Sequence, residues 1–245
     1  MFQLAIKGVR HNVGRYIATL VAIMTGVAFF TATGFLSQRV IDSLEGTVDQ
    51  QFGAVDVAVV IDDSEGSAGG LSEQLVLSQD VLDEIGAIDG VEAVDGEVTG
   101  PVAVQGEGTK PFGSGATGRL WVADDELNPL DVTTGKAPAG ADQIAVDRGL
   151  ADKESLSVGD TVTLLGVGGA FPMEIVGITE FGSADSIDQG GTVSLDPGAA
   201  FEVLTSGRVE YQNAYLRGSA SQSELTAEVE KVIPEGFKAQ TGDDF

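Results

Sequence analysis

The chain has no cysteine, one histidine and one tryptophan, and only 13 basic residues against 38 acidic ones in a length of 245. Without cysteine there is no disulfide, thiol nucleophile or zinc–thiolate site. The lone histidine, His11, precedes a long apolar stretch, so the chain beyond that stretch cannot assemble a Ser-His-Asp triad. There is no GxxxxGK[ST], HExxH or GxSxG motif, which removes a P-loop ATPase and the commoner hydrolase signatures. Past residue 41, nine basic residues face all 38 acidic ones, a net charge of −29. Phosphate backbones need clustered Lys and Arg, so nucleic acid is excluded as a partner. Anionic headgroups repel such a surface everywhere except at the basic N-terminal flank. The remaining meaning of the charge is a well-solvated exterior. A region of about 200 residues buries a core without covalent staples. We expect no enzymatic activity, no cofactor and no metal.

Charge is also missing between Arg15 and Arg39. The 21 residues from Tyr16 to Leu36 would span about 30 Å as a helix, the thickness of a bilayer hydrocarbon core. A secretory signal has an apolar region of only about 7–15 residues, although Thr31-Ala32-Thr33-Gly34 imitates a cleavage site. A buried helix of a soluble domain would carry a polar stripe, whereas the polar side chains here are threonines, which can bond to their own backbone. A membrane helix over 16–36 is therefore the expectation. Lys7, Arg10 and Arg15 precede it and no acid occurs before Asp42, which orients the leader, 1–15, toward the cytoplasm and the rest outward. Ala18, Ala22 and Gly26 recur every four residues, either as a small-residue face for a second helix in lipid or because such residues are common in membrane helices.

After the span, Ile41, Leu44, Val48 and Phe52 share one helical face while Asp42, Glu45 and Asp49 occupy others, so 37–53 reads as an amphipathic stalk. AVDVAVVI then reads as a strand. SQDVLDEIGAIDG offers a Ser78 cap, apolar residues at helical spacing and a Gly90 stop. RLWVA, DQIAVDRGLAD, SVGDTVTLLG and PMEIVGITEF predict short strands and a brief helix near Arg148–Lys153. LDPGAAFEVLTSG predicts a helix entered through Pro197. YQNAYLRG predicts a strand, SQSELTAEVEKVI a helix with Leu225, Val229, Val232 and Ile233 on one face, and FKAQT a last strand. The predicted class is α+β: an extracytoplasmic domain over 54–245, with an α/β part from 54–105 and 196–245 around a β-rich insert at 106–195.

Of the remaining motifs, Gly113–Gly118, GSGATG, matches the dinucleotide fingerprint by letter. However, Pro111 precedes it and strand-like RLWV follows, so a flexible loop is expected. Asp62, Asp63 and Glu65, like Asp124, Asp125 and Glu126, lack the spaced ligands of a calcium loop and read as solvated. Trp121 alternates with its neighbours and reads as packed core rather than a ligand platform.

The order of these segments resembles the FtsX/MacB-like permeases of ABC transporters. The resemblance rests on LAIKGVRHNVGRYIATLVAIMTGVAFF, on IGAIDGVEAVDGEV, and on GKAPAGADQIAVDRGLADKESLSVGDTVTLLG followed by FPMEIVGI. It implies a permease subunit that works with a separate ABC-type ATPase and a second permease protomer in the cell membrane. It also implies three further membrane helices beyond TGDDF. The function implied is mechanotransmission, in which ATP-driven motion passes through the stalk to the outer domain for export or extraction. Ile41, Leu44, Val48 and Phe52 would carry that coupling against a second stalk, or else pack on the chain's own domain. The competing readings are a single-pass anchored binding module without an ATPase, and an exported carboxylate hydrolase.

Overall fold

The computed structural model describes residues 23–27, 29, 53–62, 75–106, 112–182, 184–187 and 190–242. The chain divides into two units, Met1–Asp49 and Gln50–Phe245. In the first, the described residues are helical and expose Ile23, Met24, Val27 and Phe29. Among the described residues no helix is long and apolar enough to cross a membrane. The predicted span extends well outside those residues, and the predicted stalk lies outside them except for Gly53.

The second unit is α+β and holds two sheets of different design. The first contains β1 (Val57–Ile61), β3 (Val91–Glu97), β12 (Asn213–Gly218) and β13 (Phe237–Thr241), in the order β13-β1-β12-β3 with every pairing antiparallel. Helix α1 (Gln79–Gly86) follows β1, and α4 (Gln222–Val229) joins β12 to β13. Because β1 and β3 both run antiparallel to the strand between them, each half is a split βαβ unit. Sequence alternation in β1 decides its two faces. Val57, Val59 and Ile61 pack in the main core with Leu82 and Ile85 of α1 and Leu225 and Val229 of α4, whereas Ala58 and Val60 face the opposite side. Ser78 caps α1 as predicted, its Oγ accepting the Val81 N–H at 3.4 Å. Ser221 and Glu224 close a capping box on α4. That helix ends at Val229, short of the predicted face, and hydrogen-bonded turns carry the chain on to Pro234, with the N–H of Ile233 donating to the Val229 carbonyl at 3.2 Å. Val232 and Ile233 still pack partly buried against the core.

The second sheet lies between β3 and β12 in the chain and closes on itself. Strands β4 (Thr99–Gln105), β5 (Phe112–Leu120), β7 (Gln143–Asp147), β8 (Thr161–Gly166), β9 (Gly169–Glu180) and β10 (Thr192–Leu195) form the ring β4-β5-β10-β7-β9-β8, with β8 returning to β4. Strand β6 (Asp131–Gly135) adds to the outer part of β9. Closure leaves the ring without free edges. Val104, Leu164, Met173, Ile175, Val146 and Val193 are buried in it. A short helix, α2 (Arg148–Glu154), is capped by Asp147. A second, α3 (Pro197–Thr205), starts from the predicted proline with Asp196 Oδ1 accepting the Gly198 N–H at 2.9 Å.

The GSGATG stretch is a strand rather than the expected loop, since it lies within β5. Its last glycine is required by packing. A Cβ on Gly118 would sit 2.7 Å from Val102 Cγ1 and 2.8 Å from Leu204 Cδ2, so a larger residue here would force those two side chains to move.

Candidate functional site

The two sheets meet where the chain passes from β3 into β4 and where it returns through β11 (Glu210–Tyr211), which pairs with β2 (Leu77–Ser78). Gln212 sits at this crossing. Its Oε1 accepts the Thr99 N–H at 3.1 Å and the Thr99 hydroxyl at 2.7 Å, and its Nε2 donates to the Thr99 carbonyl at 2.7 Å. Its own N–H donates to the Glu97 carbonyl at 2.8 Å. The outgoing and incoming strands are therefore held together by one amide side chain that saturates both backbone groups of its partner.

A second tie comes from the segment between β5 and β6. Asp124 Oδ1 accepts the N–H groups of Glu126 at 3.0 Å and Leu127 at 3.1 Å, an Asx turn that folds the segment on itself. Leu127 then packs with Val55 and Ala58 on the face of the four-stranded sheet away from its helices. Arg217 of β12 grips the same aspartate with two nearly parallel bonds, Nε to Oδ1 and Nη2 to Oδ2, both 3.1 Å. Its Nη1 reaches Glu92 at 2.7 Å and its Nε lies 3.3 Å from Glu126. This fork geometry suits a carboxylate. The Arg217 bonds hold the Asp124 carboxyl below its ordinary 3.8, and Asp124 in turn raises the guanidinium. The acids Asp124 and Glu126, read from sequence as solvated, are thus brought together as partners of a single cation.

Between these ties lie two hollows. An enclosed one of about 20 Å³ is lined by Asp95, Glu97, Arg119 and Tyr215, large enough for about one water. Glu97 Oε2 accepts Asn213 Nδ2 at 2.6 Å and the Tyr215 hydroxyl at 2.9 Å. Burial, then the Glu97 charge, pushes the Tyr215 hydroxyl far above its ordinary range. The second, an open cleft of about 190 Å³, has Trp121, Tyr211, Leu82 and Pro197 on its walls with Asp83 and Asp95 beside them. Trp121 is half-buried and lines this cleft, rather than lying wholly in the core. Burial raises the Asp95 carboxyl above 3.8 despite N–H donors from Asp124 and Ala123.

Of the residues singled out from sequence, Ala18, Ala22, Ile41, Leu44, Val48 and Phe52 lie outside the described residues. Gly26 is helical, with nothing described within 4 Å of where a Cβ would stand. Asp62 donates its N–H to the Gly236 carbonyl, while Asp63 and Glu65 lie outside the described residues. Sequence reasoning missed Gln212, Arg217, Asp95 and Tyr211. Arg217 alone carried a signal, as one of few cations in an acidic region.

The model of a family described as the MacB-like periplasmic core domain matches residues 16–233. The fold is similar to the crystal structure of the extracellular domain of the noncanonic ABC-type transporter YknZ from Gram-positive bacteria, at 13% identity and a TM-score of 0.54, covering 76% of this chain and 99% of that one. It is also similar to the periplasmic region of MacB from Actinobacillus actinomycetemcomitans, at 12% identity and a TM-score of 0.59, covering 80% of this chain and 92% of that one. Likeness at these identities concerns the fold. Comparison with curated proteins gives no match.

Proposed function

The chain belongs to the MacB-like periplasmic core domain family, and from that membership we propose that it is the extracytoplasmic portion of an ABC-type permease together with its first membrane helix. The observation that carries this reading is the family match over 16–233, which begins inside the uncharged segment and takes in every strand of both sheets before β13. In this proposal residues 16–36 cross the cell membrane with the N-terminus inside. A separate ATPase subunit moves that helix, and the stalk over 37–53 passes the motion outward for export or extraction of a substrate. Ala18, Ala22 and Gly26 form the close-packing face toward a second membrane helix. Ile41, Leu44, Val48 and Phe52 form the apolar seam through which the stalk pairs with a second permease protomer. Lipid meets the basic leader and the apolar span.

The test is purification of the tagged gene product from its own membranes. The expected result is resistance to alkaline extraction, degradation of the acidic region by externally added protease, and copurification of a P-loop ATPase subunit. Loss of that ATPase on Ala22→Leu or Val48→Asp, with membrane insertion intact, would tie the coupling to those faces. A membrane-inserted chain that brings no ATPase would overturn the permease reading in favour of an anchored binding module. A product without its first thirty or so residues would overturn the membrane helix as well.

A further inference from the structure

The cleft of about 190 Å³ beside Trp121 combines aromatic walls with carboxylates. The backbone at Trp121 is fixed by its main-chain N–H, which donates to the Leu195 carbonyl at 2.8 Å at the end of β10. Tyr211, only 7% exposed, stands edge-on to Phe201 with ring centroids 5.5 Å apart. Its hydroxyl donates to Gln79 Oε1 at 2.5 Å, and Gln79 Nε2 donates to Asp83 Oδ1 at 2.9 Å. That chain of bonds fixes the tyrosine ring and the Asp83 carboxylate together. Asp95 enters from β3, with one oxygen taken by the Asp124 N–H at 3.3 Å. Among the described residues no Lys or Arg lines the cleft. The nearby Arg217 is already engaged by Asp124, Glu92 and Glu126.

Two carboxylates beside a half-buried tryptophan form a setting in which an organic cation is held by charge and by an aromatic surface together. A hard metal ion fits poorly, because aromatic walls supply no oxygen ligands. Among the described residues there is no cluster of three ligating side chains. Size narrows the class further, since drug-sized ligands occupy pockets of about 300–1,000 Å³ and this cleft admits only a group the size of a side chain. We propose that the Trp121–Tyr211 cleft binds an alkylammonium group, free or borne on a lysine side chain, between the Asp83 and Asp95 carboxylates. The site lies at the junction of the two sheets, so its occupancy bears on how the barrel sits against the sheet. The proposal stands apart from the permease reading and does not need it.

Trp121 is the only tryptophan of the chain, so the intrinsic fluorescence of the full-length protein in detergent reports on the site directly. The titrants are n-butylammonium against n-butanol, and acetyl-Gly-Lys-Gly-amide against the same peptide acetylated on its lysine. A saturable change with the charged titrants and none with the neutral ones is expected. Asp95→Asn and Asp83→Asn should each weaken binding about tenfold, as should raising the salt to about 1 M. Comparable saturation by both charged probes identifies a small amine as sufficient, and saturation by the peptide alone identifies a lysine of a partner protein. The proposal is overturned by a response of equal size to the neutral probes, by no saturable response to either charged probe, or by unchanged affinity in the Asp variants. Asp83 is exposed and leaves the core untouched, so Asp83→Asn decides the matter should Asp95→Asn fold poorly.

Discussion

Gln212→Ala removes three side-chain hydrogen bonds to Thr99, at 3.1, 2.7 and 2.7 Å, from a part-buried position. A typical intramolecular hydrogen bond contributes about 1 kcal/mol net. Some of the loss is recovered as water reaches the Thr99 groups, so the expected destabilisation is about 1.5–3 kcal/mol. For a region of this size that corresponds to a fall in Tm of roughly 4–10 °C. Urea and thermal unfolding of the full chain measure it. Amide exchange adds the local readout, because the Thr99 N–H loses its acceptor while the strands on either side keep theirs. Gln212→Glu is the sharper variant. The carboxylate still accepts from the Thr99 N–H and hydroxyl, but it opposes the Thr99 carbonyl where an N–H stood. It should be at least as harmful as alanine at neutral pH and should recover as the pH falls through its folded value, which burial and the opposed carbonyl raise, toward the ordinary glutamate value of about 4.3, where the protonated acid donates again. A Gln212→Ala protein within about 0.5 kcal/mol of wild type, with Thr99 exchange unchanged, would refute the claim that this side chain pins the crossing.

Arg217→Met keeps the stem over the sheet and removes the fork, so exchange at the Glu126 and Leu127 amides should accelerate. Because the Asp124 carboxyl lies below 3.8 in the folded state, the stability it contributes is complete above 3.8 and is lost as pH falls through the depressed value. The difference between wild type and Arg217→Met in pH-dependent unfolding should therefore close over that acid window. Asp95 has the opposite sign, since its folded carboxyl is raised above 3.8 by burial. Its unfavourable contribution grows as pH rises from 3.8 through the raised value, so Asp95→Asn should flatten that limb and unfold at a higher temperature than wild type near neutrality. Gly118→Ala drives a methyl against Val102 and Leu204 and should cost about 1–3 kcal/mol in urea unfolding, with partial rescue in a Leu204→Ala background.

The elements themselves were legible in the sequence wherever a local rule acts alone. Ser78 and Pro197 start their helices as capping chemistry requires, and the apolar, β-branched run VAVVI forms β1. GSGATG was misread because glycine composition resembles a loop, whereas the reason for Gly118 is the approach of Leu204 from 86 residues further along the chain. Trp121 shows the same limit, since period-2 alternation marks a packed side but not whether the facing layer is complete. Gln212 stands 113 residues from Thr99, and Arg217 stands 93 from Asp124. No periodicity links such pairs, and only the return of the chain from the barrel to the sheet brings them together.

The polar ties at the junction bear on how the barrel is oriented against the sheet. Within each sheet, stability is spread over many apolar contacts, so a single substitution alters the free energy more than the geometry. Across the junction one apolar cluster runs through both sheets, and beside it stand two polar ties, the Gln212 amide on Thr99 and the Arg217 fork on Asp124. Hydrogen bonds of this kind depend steeply on angle and distance, so they hold one orientation of barrel against sheet and release it over a small rotation. Substitutions at Gln212 or Arg217 should therefore change the orientation of the barrel while both cores remain folded. Paired spin labels on β8 and β13 would register that as a broadened distance distribution with unchanged secondary structure. A distribution as narrow as wild type in the Gln212→Ala, Arg217→Met double variant would show instead that apolar packing around Leu127 and Val98 sets the orientation.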